Sequence, residues 1–294
     1  MSISKKKLTI IIVTFKSHKV IHNCLKSIPE QINIIIVDNS NDKKFKNNIE
    51  KSYRNVTCIL SSKNLGMGSG NNLGLKHVKT DFALILNPDV ILEKNAIEQI
   101  IISSKQIREF GILAPLSKNS KYPNYKLNKK KGHNFNNRDP FKVESVDGYA
   151  MLLNLKRLNK LILFRNFNYF DENIFMYLEN DDLCKKVINS KENIYIIPSS
   201  KITHLGGKAT EKKYAYEIEL SRNWHWCWSK IYFHKKHYGL WIAIKKNFPS
   251  LFSALVKYLI YLITLNKKKN IYLKRLSGIV NSFLGKKSWY RPKI

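Results

Sequence analysis

After Glu219 the chain has no aspartate or glutamate at all, although that last quarter carries 16 lysines and arginines and with them +16 of the formal net charge of +31. AT-rich codon usage explains a chain rich in lysine, asparagine and isoleucine. It does not explain why the acids stop at one point, and that asymmetry points to a polyanionic surface as partner. Cysteine is scarce. Cys24, Cys58, Cys184 and Cys227 are far apart with no Cys-x-x-Cys pair, which excludes a zinc module and argues against a disulfide framework. No apolar run reaches the about 20 residues of a spanning helix. Leu251–Leu265 is fifteen residues long and contains Lys257. No small-residue cleavage site follows the apolar run Leu8–Phe15, and Thr14 and Lys16 suit a first strand better than a leader; a cytoplasmic location is expected. No Gly-Lys-Ser/Thr phosphate loop, Gly-x-Gly-x-x-Gly fingerprint or nucleic-acid-recognition module occurs, and no internal repeat. A basic nucleic-acid-binding protein is therefore the weaker reading of the charge, and no nucleic-acid partner is expected.

What is present alternates. Leu8–Phe15, Ile32–Asp38, Val56–Leu60 and Phe82–Leu86 are continuous apolar, largely β-branched runs, the pattern of strands buried on both faces of a parallel sheet. Helical stripes lie between them: Val20, Ile21, Cys24, Leu25 and Ile28, then Asn71–Val78, then Ala96–Ile102. This βαβ order predicts a doubly wound α/β sheet flanked by helices. A long loop is expected over 117–142, a strand over Val143–Leu153, a helix after the acidic run Glu179-Asn-Asp-Asp182, and a strand from Ile194 to Ile197 that ends at Pro198. The division expected is 1–220 for the α/β domain and 221–294 for a basic amphipathic helical segment. In that segment Leu251–Leu265 has a narrow polar stripe of Ser253, Lys257 and Thr264. A second apolar stripe of Leu273, Leu276, Val280 and Phe283 follows Lys267–Lys269. Basic helices with a broad apolar face suit the interface of an anionic membrane, so a peripheral position on the membrane's inner face is expected.

Open α/β sheets bind ligands beyond the carboxyl ends of their strands. Here those ends carry Thr14-Phe15, Asp38-Asn39-Ser40, Asn64-Leu-Gly66-Met-Gly68-Ser-Gly70-Asn71-Asn72 and Asn87-Pro-Asp89. A glycine-rich turn opening a helix presents backbone N–H groups to an anion such as a diphosphate. An aspartate ending a strand can take a ribose hydroxyl or a metal ion.

In this order the pieces resemble family-2 glycosyltransferases of the GT-A fold, in particular their rhamnosyltransferase-like members in bacterial surface-polysaccharide pathways. The resemblance runs from about Lys7 to Gly239. It rests on Ile11-Ile-Val-Thr-Phe15, Val37-Asp-Asn-Ser40, Asn64-Leu-Gly66 with Gly70-Asn-Asn72, and Leu86-Asn-Pro-Asp89. Phe170-Asp-Glu172, Tyr177-Leu-Glu-Asn-Asp-Asp-Leu-Cys184 and His204-Leu-Gly-Gly207 agree with it. It implies a metal-dependent, inverting hexosyltransferase. The donor would be a nucleoside-diphosphate sugar, with dTDP-rhamnose the leading candidate, and the acceptor a glycan or a polyprenyl-linked glycan. It places the nucleotide on Thr14, Phe15, Asp38, Asn64, Gly66, Asn71 and Asn87, and a Mg²⁺ or Mn²⁺ ion on Asp89, with His204 adding a contact. Sugar nucleotidyltransferases, the other α/β candidates, open with a Gly- and Arg-containing loop where this chain has Thr14-Phe-Lys-Ser17. Processive synthases carry Gln-x-x-Arg-Trp, of which Arg222-Asn-Trp224 is a faint echo.

One departure matters. The family's acidic motif reads Glu-Asp-x-Asp-Leu-Cys, and its second residue, often taken as the base, is Asn180 here. An amide cannot accept the acceptor's proton. Glu179, Asp181 and Asp182 remain as candidate bases, and Asn180→Asp is expected to be tolerated.

Overall fold

The computed structural model describes residues 4–107, 109–120, 122–126, 139–206 and 212–294. Its contacts divide it into two units. The first comprises 1–171 with 180–210, the second 172–179 with 211–294.

The first unit is built on the apolar runs. All seven residues of β1 (Leu8–Thr14) are buried. After α1 (Ile21–Lys26), β2 (Asn33–Asp38) lies parallel to β1, with Thr14 opposite Asp38. The helix α2 (Lys43–Ser52), which the apolar pattern does not reveal, is capped by Asp42 accepting from the Phe45 N–H at 3.0 Å. The strand β3 (Val56–Leu60) pairs with β2, and after α3 (Gly66–Leu75) β4 (Phe82–Leu86) pairs with the other side of β1. Next come β5 (Val90–Leu92), α4 (Ala96–Gln106), β6 (Ile112–Ser117), β7 (Tyr125–Lys126), β8 (Phe141–Lys142), β9 (Ser145–Val146), β10 (Ala150–Asn154), α5 (Leu155–Leu158), α6 (Glu179–Asn189) and β11 (Ile194–His204). The main sheet has the order β3-β2-β1-β4-β10-β6-β11-β5, with β8 on β11. It is parallel from β3 to β4. The strand β10 then enters antiparallel between β4 and β6, and β5 runs antiparallel to β11.

Alternation along β1 separates the two faces. Ile10 and Ile12 pack with α1, α2 and α4 through Cys24, Phe45 and Ile97. Ile11 packs in a second core with Leu75, Leu158, Leu183 and Val187 from α3, α5 and α6. The doubly wound arrangement is therefore present, and two local expectations change. The span Val143–Leu153 is broken at Asp147–Tyr149 into β9 and β10, which belong to different sheets. The last strand does not stop at Pro198; it runs to His204 through a register shift between Ile197 and Lys201. A bulge absorbs the proline, which has no ladder donor to offer. The residues of the expected loop 117–142 include β7 and β8; those at 127–138, like Gly207, lie outside the described residues.

The second unit consists of α7 (Ala215–Tyr238), α8 (Leu240–Ile263) and α9 (Lys269–Phe283) with the segment 172–179. Its interior is aromatic and polar. Trp224 is fully buried with Trp228 and Tyr290, and its indole N–H donates to Ser277 Oγ at 3.1 Å. His225 is also fully buried: Nε2 donates to the Tyr290 carbonyl at 2.8 Å, and Nδ1 lies 3.0 Å from Ser288 Oγ. Burial pushes this imidazole down to a pKa of about 3. The helices α7 and α9 touch at backbone distance. A Cβ on Gly278 would stand 2.4 Å from the Trp224 carbonyl oxygen. The helix α8 begins at Leu240, eleven residues before the apolar run that marks it in sequence, and contains Pro249. Among the described residues no helix is long and apolar enough to cross a membrane.

Candidate active site

The glycine-rich segment is helix, not a turn preceding one. Gly66, at φ +83°, is the first residue of α3. Its glycines serve the sheet. A Cβ on Gly70 would lie 2.8 Å from Val13 Cγ1, and one on Gly74 would lie 2.6 Å from Ile11 Cγ2. Spaced by four, the two glycines share a helix face and let α3 press onto β1. The N-terminus of α3 is tied to β2 through Asn39, whose Nδ2 donates to the Gly66 carbonyl at 3.0 Å and whose Oδ1 accepts from the Leu65 N–H at 3.3 Å. Asn64 Oδ1 accepts from the Gly66 N–H at 3.1 Å. Asn64 thus shapes the loop that opens α3.

Thr14 and Asp38, opposite one another in register, join at the strand ends. The Thr14 hydroxyl donates to Asp38 Oδ1 at 2.9 Å, and the other carboxylate oxygen accepts from the Asp42 N–H at 3.0 Å. Asp38 is fully buried and both its oxygens are engaged within the protein. Phe15 follows as a half-buried residue, its N–H directed at Ser17 Oγ.

At the end of β4 the pattern reverses. Asn87 and Asp89 each hold a buried side-chain oxygen with no hydrogen-bond partner, and Asn71 on α3 holds a third. A carboxylate 3% exposed is costly to leave so unless something polar completes it. The antiparallel pairing of β5 with β11 sets Val90 opposite His204, which brings His204 Nε2 to 3.4 Å from Asp89 Oδ1. The imidazole ring stacks on Tyr149, centroids 4.2 Å apart. The structure therefore brings together the two residues that motif reading assigns to a metal ion.

The acidic run sits at the start of α6, where carboxylates suit the helix dipole. Asp181 is occupied: Lys126 Nζ lies 2.8 Å from Oδ2, and the Ser145 hydroxyl donates to Oδ1 at 2.6 Å. Asp182 is fully buried and Glu179 is 9% exposed. Asn180 donates from Nδ2 to the Val146 carbonyl at 2.7 Å, and its Cβ would stand 3.2 Å from a Cβ on Gly148. The expectation for Asn180→Asp accordingly changes. An ionised carboxylate there has no proton for the Val146 carbonyl and would set oxygen against oxygen. Just before α6, Tyr177 and Leu178 both adopt left-handed conformations (φ +71° and +67°), which are costly for side chains of this size.

Sequence reading missed Asp147, a single aspartate inside what reads as a strand. It lies in the turn between β9 and β10. Burial raises its carboxyl pKa above the ordinary range and the Asp181 carboxylate adds to the rise; Lys126 and His204 oppose it. Asp147 thus feels charges from β7, α6 and β11 together.

Residues 9–162 match the model of glycosyl transferase family 2. The chain belongs to that family. It is 26% identical over 206 residues to the low-salt glycan biosynthesis hexosyltransferase Agl10 of Haloferax volcanii, a match covering 64% of this chain and 63% of that protein. It is 33% identical over 118 residues to the teichoic acid poly(glycerol phosphate) polymerase of Staphylococcus epidermidis, covering 37% of this chain and 16% of the relative. The matches thus span less than two thirds of either relative. Among solved structures it resembles GalNAc-T7 with UDP, GalNAc and Mn²⁺ (TM-score 0.54, 14% identity, 74% of this chain and 50% of that one). It also resembles S. aureus TarS 1–349 in complex with UDP-GlcNAc (TM-score 0.52, 14% identity, 97% and 93%). At such identities the likeness is one of fold, and that fold is GT-A. The family-model match ends at residue 162, before α6.

Proposed function

We propose that this chain transfers a sugar from a nucleoside-diphosphate donor to an acceptor hydroxyl, with inversion, using a divalent cation held by Asp89 and His204. The observation that carries the reading is the pair of buried side-chain oxygens on Asn87 and Asp89 without a hydrogen-bond partner just past β4, with His204 Nε2 3.4 Å from Asp89 Oδ1; Asn71 on α3 holds a further one. A carboxylate and an imidazole fit Mn²⁺, and with further oxygen donors Mg²⁺; the donor's diphosphate would supply the rest of the shell. Bound there, the ion would act as a Lewis acid toward the departing diphosphate. Among the described residues no group of three His, Cys, Asp or Glu side chains gathers there, so the shell would depend on the donor's diphosphate.

The chain's own residues do the remainder. Asn71 and Asn87 orient the donor through their side-chain oxygens. Thr14, Asp38, Asn64 and Gly66 fix the strand ends and the head of α3 against which the nucleotide lies, and Phe15 offers a ring beside them. As the glycosidic bond lengthens, the sugar becomes oxocarbenium-like. The acceptor hydroxyl attacks from the opposite face and gives its proton to a carboxylate. Glu179, Asp181 and Asp182 are the candidates from the motif. Asp147 joins them on its position and its raised pKa, whereas Asp181 is already committed to Lys126 and Ser145. The donor sugar favoured by the motifs is rhamnose from dTDP-rhamnose. Similarity to a glycan-biosynthesis hexosyltransferase favours a glycan acceptor, and the motif resemblance a polyprenyl-linked one.

Calorimetric titration with dTDP and UDP, with and without Mn²⁺, tests the reading directly. Nucleotide binding is expected to need the cation. Asp89→Asn is expected to weaken metal-dependent binding and to lower donor turnover by about 10²–10³-fold, the loss typical of removing one preorganised electrostatic group. Full binding and turnover by Asp89→Asn, or in excess chelator, would refute it. The amide variants of Asp147, Glu179, Asp181 and Asp182 then locate the base, as the one that loses transfer while keeping nucleotide affinity.

A further inference from the structure

The helix α8 is packed inside out. Its buried positions are Ala243, Asn247 and Ala254, and Ser250, Leu251, Tyr258 and Tyr261 are half-buried beside them. At 100° per residue these form one stripe, made largely of small and polar side chains. Asn247 is 2% exposed and bonds to His234 and to the Ala243 carbonyl. The large apolar side chains point the other way. Trp241, Phe248, Phe252, Leu255, Leu259 and Ile263 fall on a second stripe, and they are 82%, 60%, 61%, 45%, 47% and 82% exposed. A helix covering a protein core has the opposite arrangement.

The edges of that face are charged in one sense. Lys246 and Lys257 lie in a row with Ser253 and Thr264 along one flank, and Lys267–Lys269 follow the helix end. Lys246 and Lys257 rest their ammonium groups over the rings of Tyr238 and Tyr272, at 4.6 and 5.6 Å from the ring centroids. The groove enclosed by α7, α8 and α9 adds Lys230 and Arg275. No aspartate or glutamate occurs in 220–294 to neutralise them. A second copy of so basic a surface would meet charge repulsion, whereas an anionic bilayer offers both the apolar interior and the opposite charge.

We infer that α8 lies flat in the headgroup boundary of an anionic lipid bilayer, its Trp241–Ile263 stripe turned into the acyl region and its lysine flank at the phosphates. The proposal is independent of the catalytic reading, since every residue in it belongs to the second unit.

The full chain is mixed with vesicles of phosphatidylcholine alone or with phosphatidylglycerol, and sedimented. Binding is expected to the anionic vesicles, to weaken with salt, and to be poor to the neutral ones. The variant F248S/F252S/L255S/L259S changes only exposed side chains and is expected to keep its far-ultraviolet circular dichroism and melting profile. Its bound fraction should fall at least tenfold. The variant K246Q/K257Q/K267Q/K268Q/K269Q should lose the preference for anionic vesicles. A separate arm needs no multiple variant. Brominated lipid should quench part of the tryptophan emission of the unaltered chain, and Trp241→Phe should remove that part. Equal sedimentation of the apolar variant, or quenching unchanged by Trp241→Phe, would overturn the proposal. So would a dimer in light scattering that the apolar variant dissolves while vesicles fail to bind, which would make the face a contact between copies.

Discussion

β1 and α8 are two of the most apolar stretches of the chain, and they end in opposite environments. All seven residues of β1 are buried, with Ile10 and Ile12 on one face of the sheet and Ile11 on the other. In α8 three residues of twenty-four are buried, none of them large and apolar. The contrast shows that hydrophobicity by itself does not state what a segment will be buried against. In β1 the burying partners are further strands and helices of the same chain. In α8 the buried side chains are small or polar, and the large apolar ones stay exposed. Composition is similar; the pattern around the helix separates the cases.

The comparison can be broken from either side. Ile12→Ala should have the largest effect, a loss of about 2–5 kcal/mol in the urea unfolding of the first unit, because the removed atoms leave a void between fully packed layers. A change below 1 kcal/mol would mean that the sheet is less tightly packed than described. Acidification should act next, and on the second unit. The folded-state pKa of His225 lies at about 3, well below its unfolded value near 6.5, so the unfolded chain binds the extra proton first. The stability it contributes is intact above pH 6.5 and drains away as pH falls toward 3. Between pH 6.5 and 5 that amounts to about 2 kcal/mol at roughly 1.4 kcal/mol per unit. Urea midpoints at the two pH values should show it, and His225→Asn should flatten it; an equal slope in that variant would put the titration elsewhere. Leu259→Ala should have the smallest effect. Without lipid it is expected to shift stability by no more than about 0.5 kcal/mol, as substitutions at exposed positions do. A loss the size of that for Ile12→Ala would erase the distinction between strand and helix.

Much of the first unit was legible in sequence, because β1 to β4 are continuous runs whose burial on both faces leaves no polar alternation. What escaped has particular causes. The helix α2 shows only Phe45 and Ile49 to the core, too few to make a stripe. The strand β6 contains Pro115, which argues against a strand, yet it pairs in register with Ile197. The placement of β10 between β4 and β6 is a matter of tertiary pairing with no local signature. At the candidate site, Asp89 and His204 were both named from motifs, but only the β5–β11 pairing puts them 3.4 Å apart. Asp147 was passed over because the neighbours that give it meaning, Lys126, Asp181 and His204, are brought to it by other strands and by α6. The Gly-rich turn that opens α3 was read as facing a phosphate; the packing of Gly70 and Gly74 against the side chains of β1 was not legible, because it depends on the sheet beneath.

Asn71 and Asn72 are neighbours on α3 with different fates. Asn71 keeps an unpartnered oxygen, while Asn72 closes a reciprocal pair with Phe170, its Nδ2 donating to the Phe170 carbonyl at 2.9 Å and its Oδ1 accepting the Phe170 N–H at 3.0 Å. An amide proton held by a side chain rather than by a ladder partner exchanges with solvent deuterium only when that side chain lets go. The Phe170 amide is thus a built-in clock for the separation of α3 from the segment that precedes Asp171. Its exchange rate reads motion where α3 meets that segment, with no ligand bound.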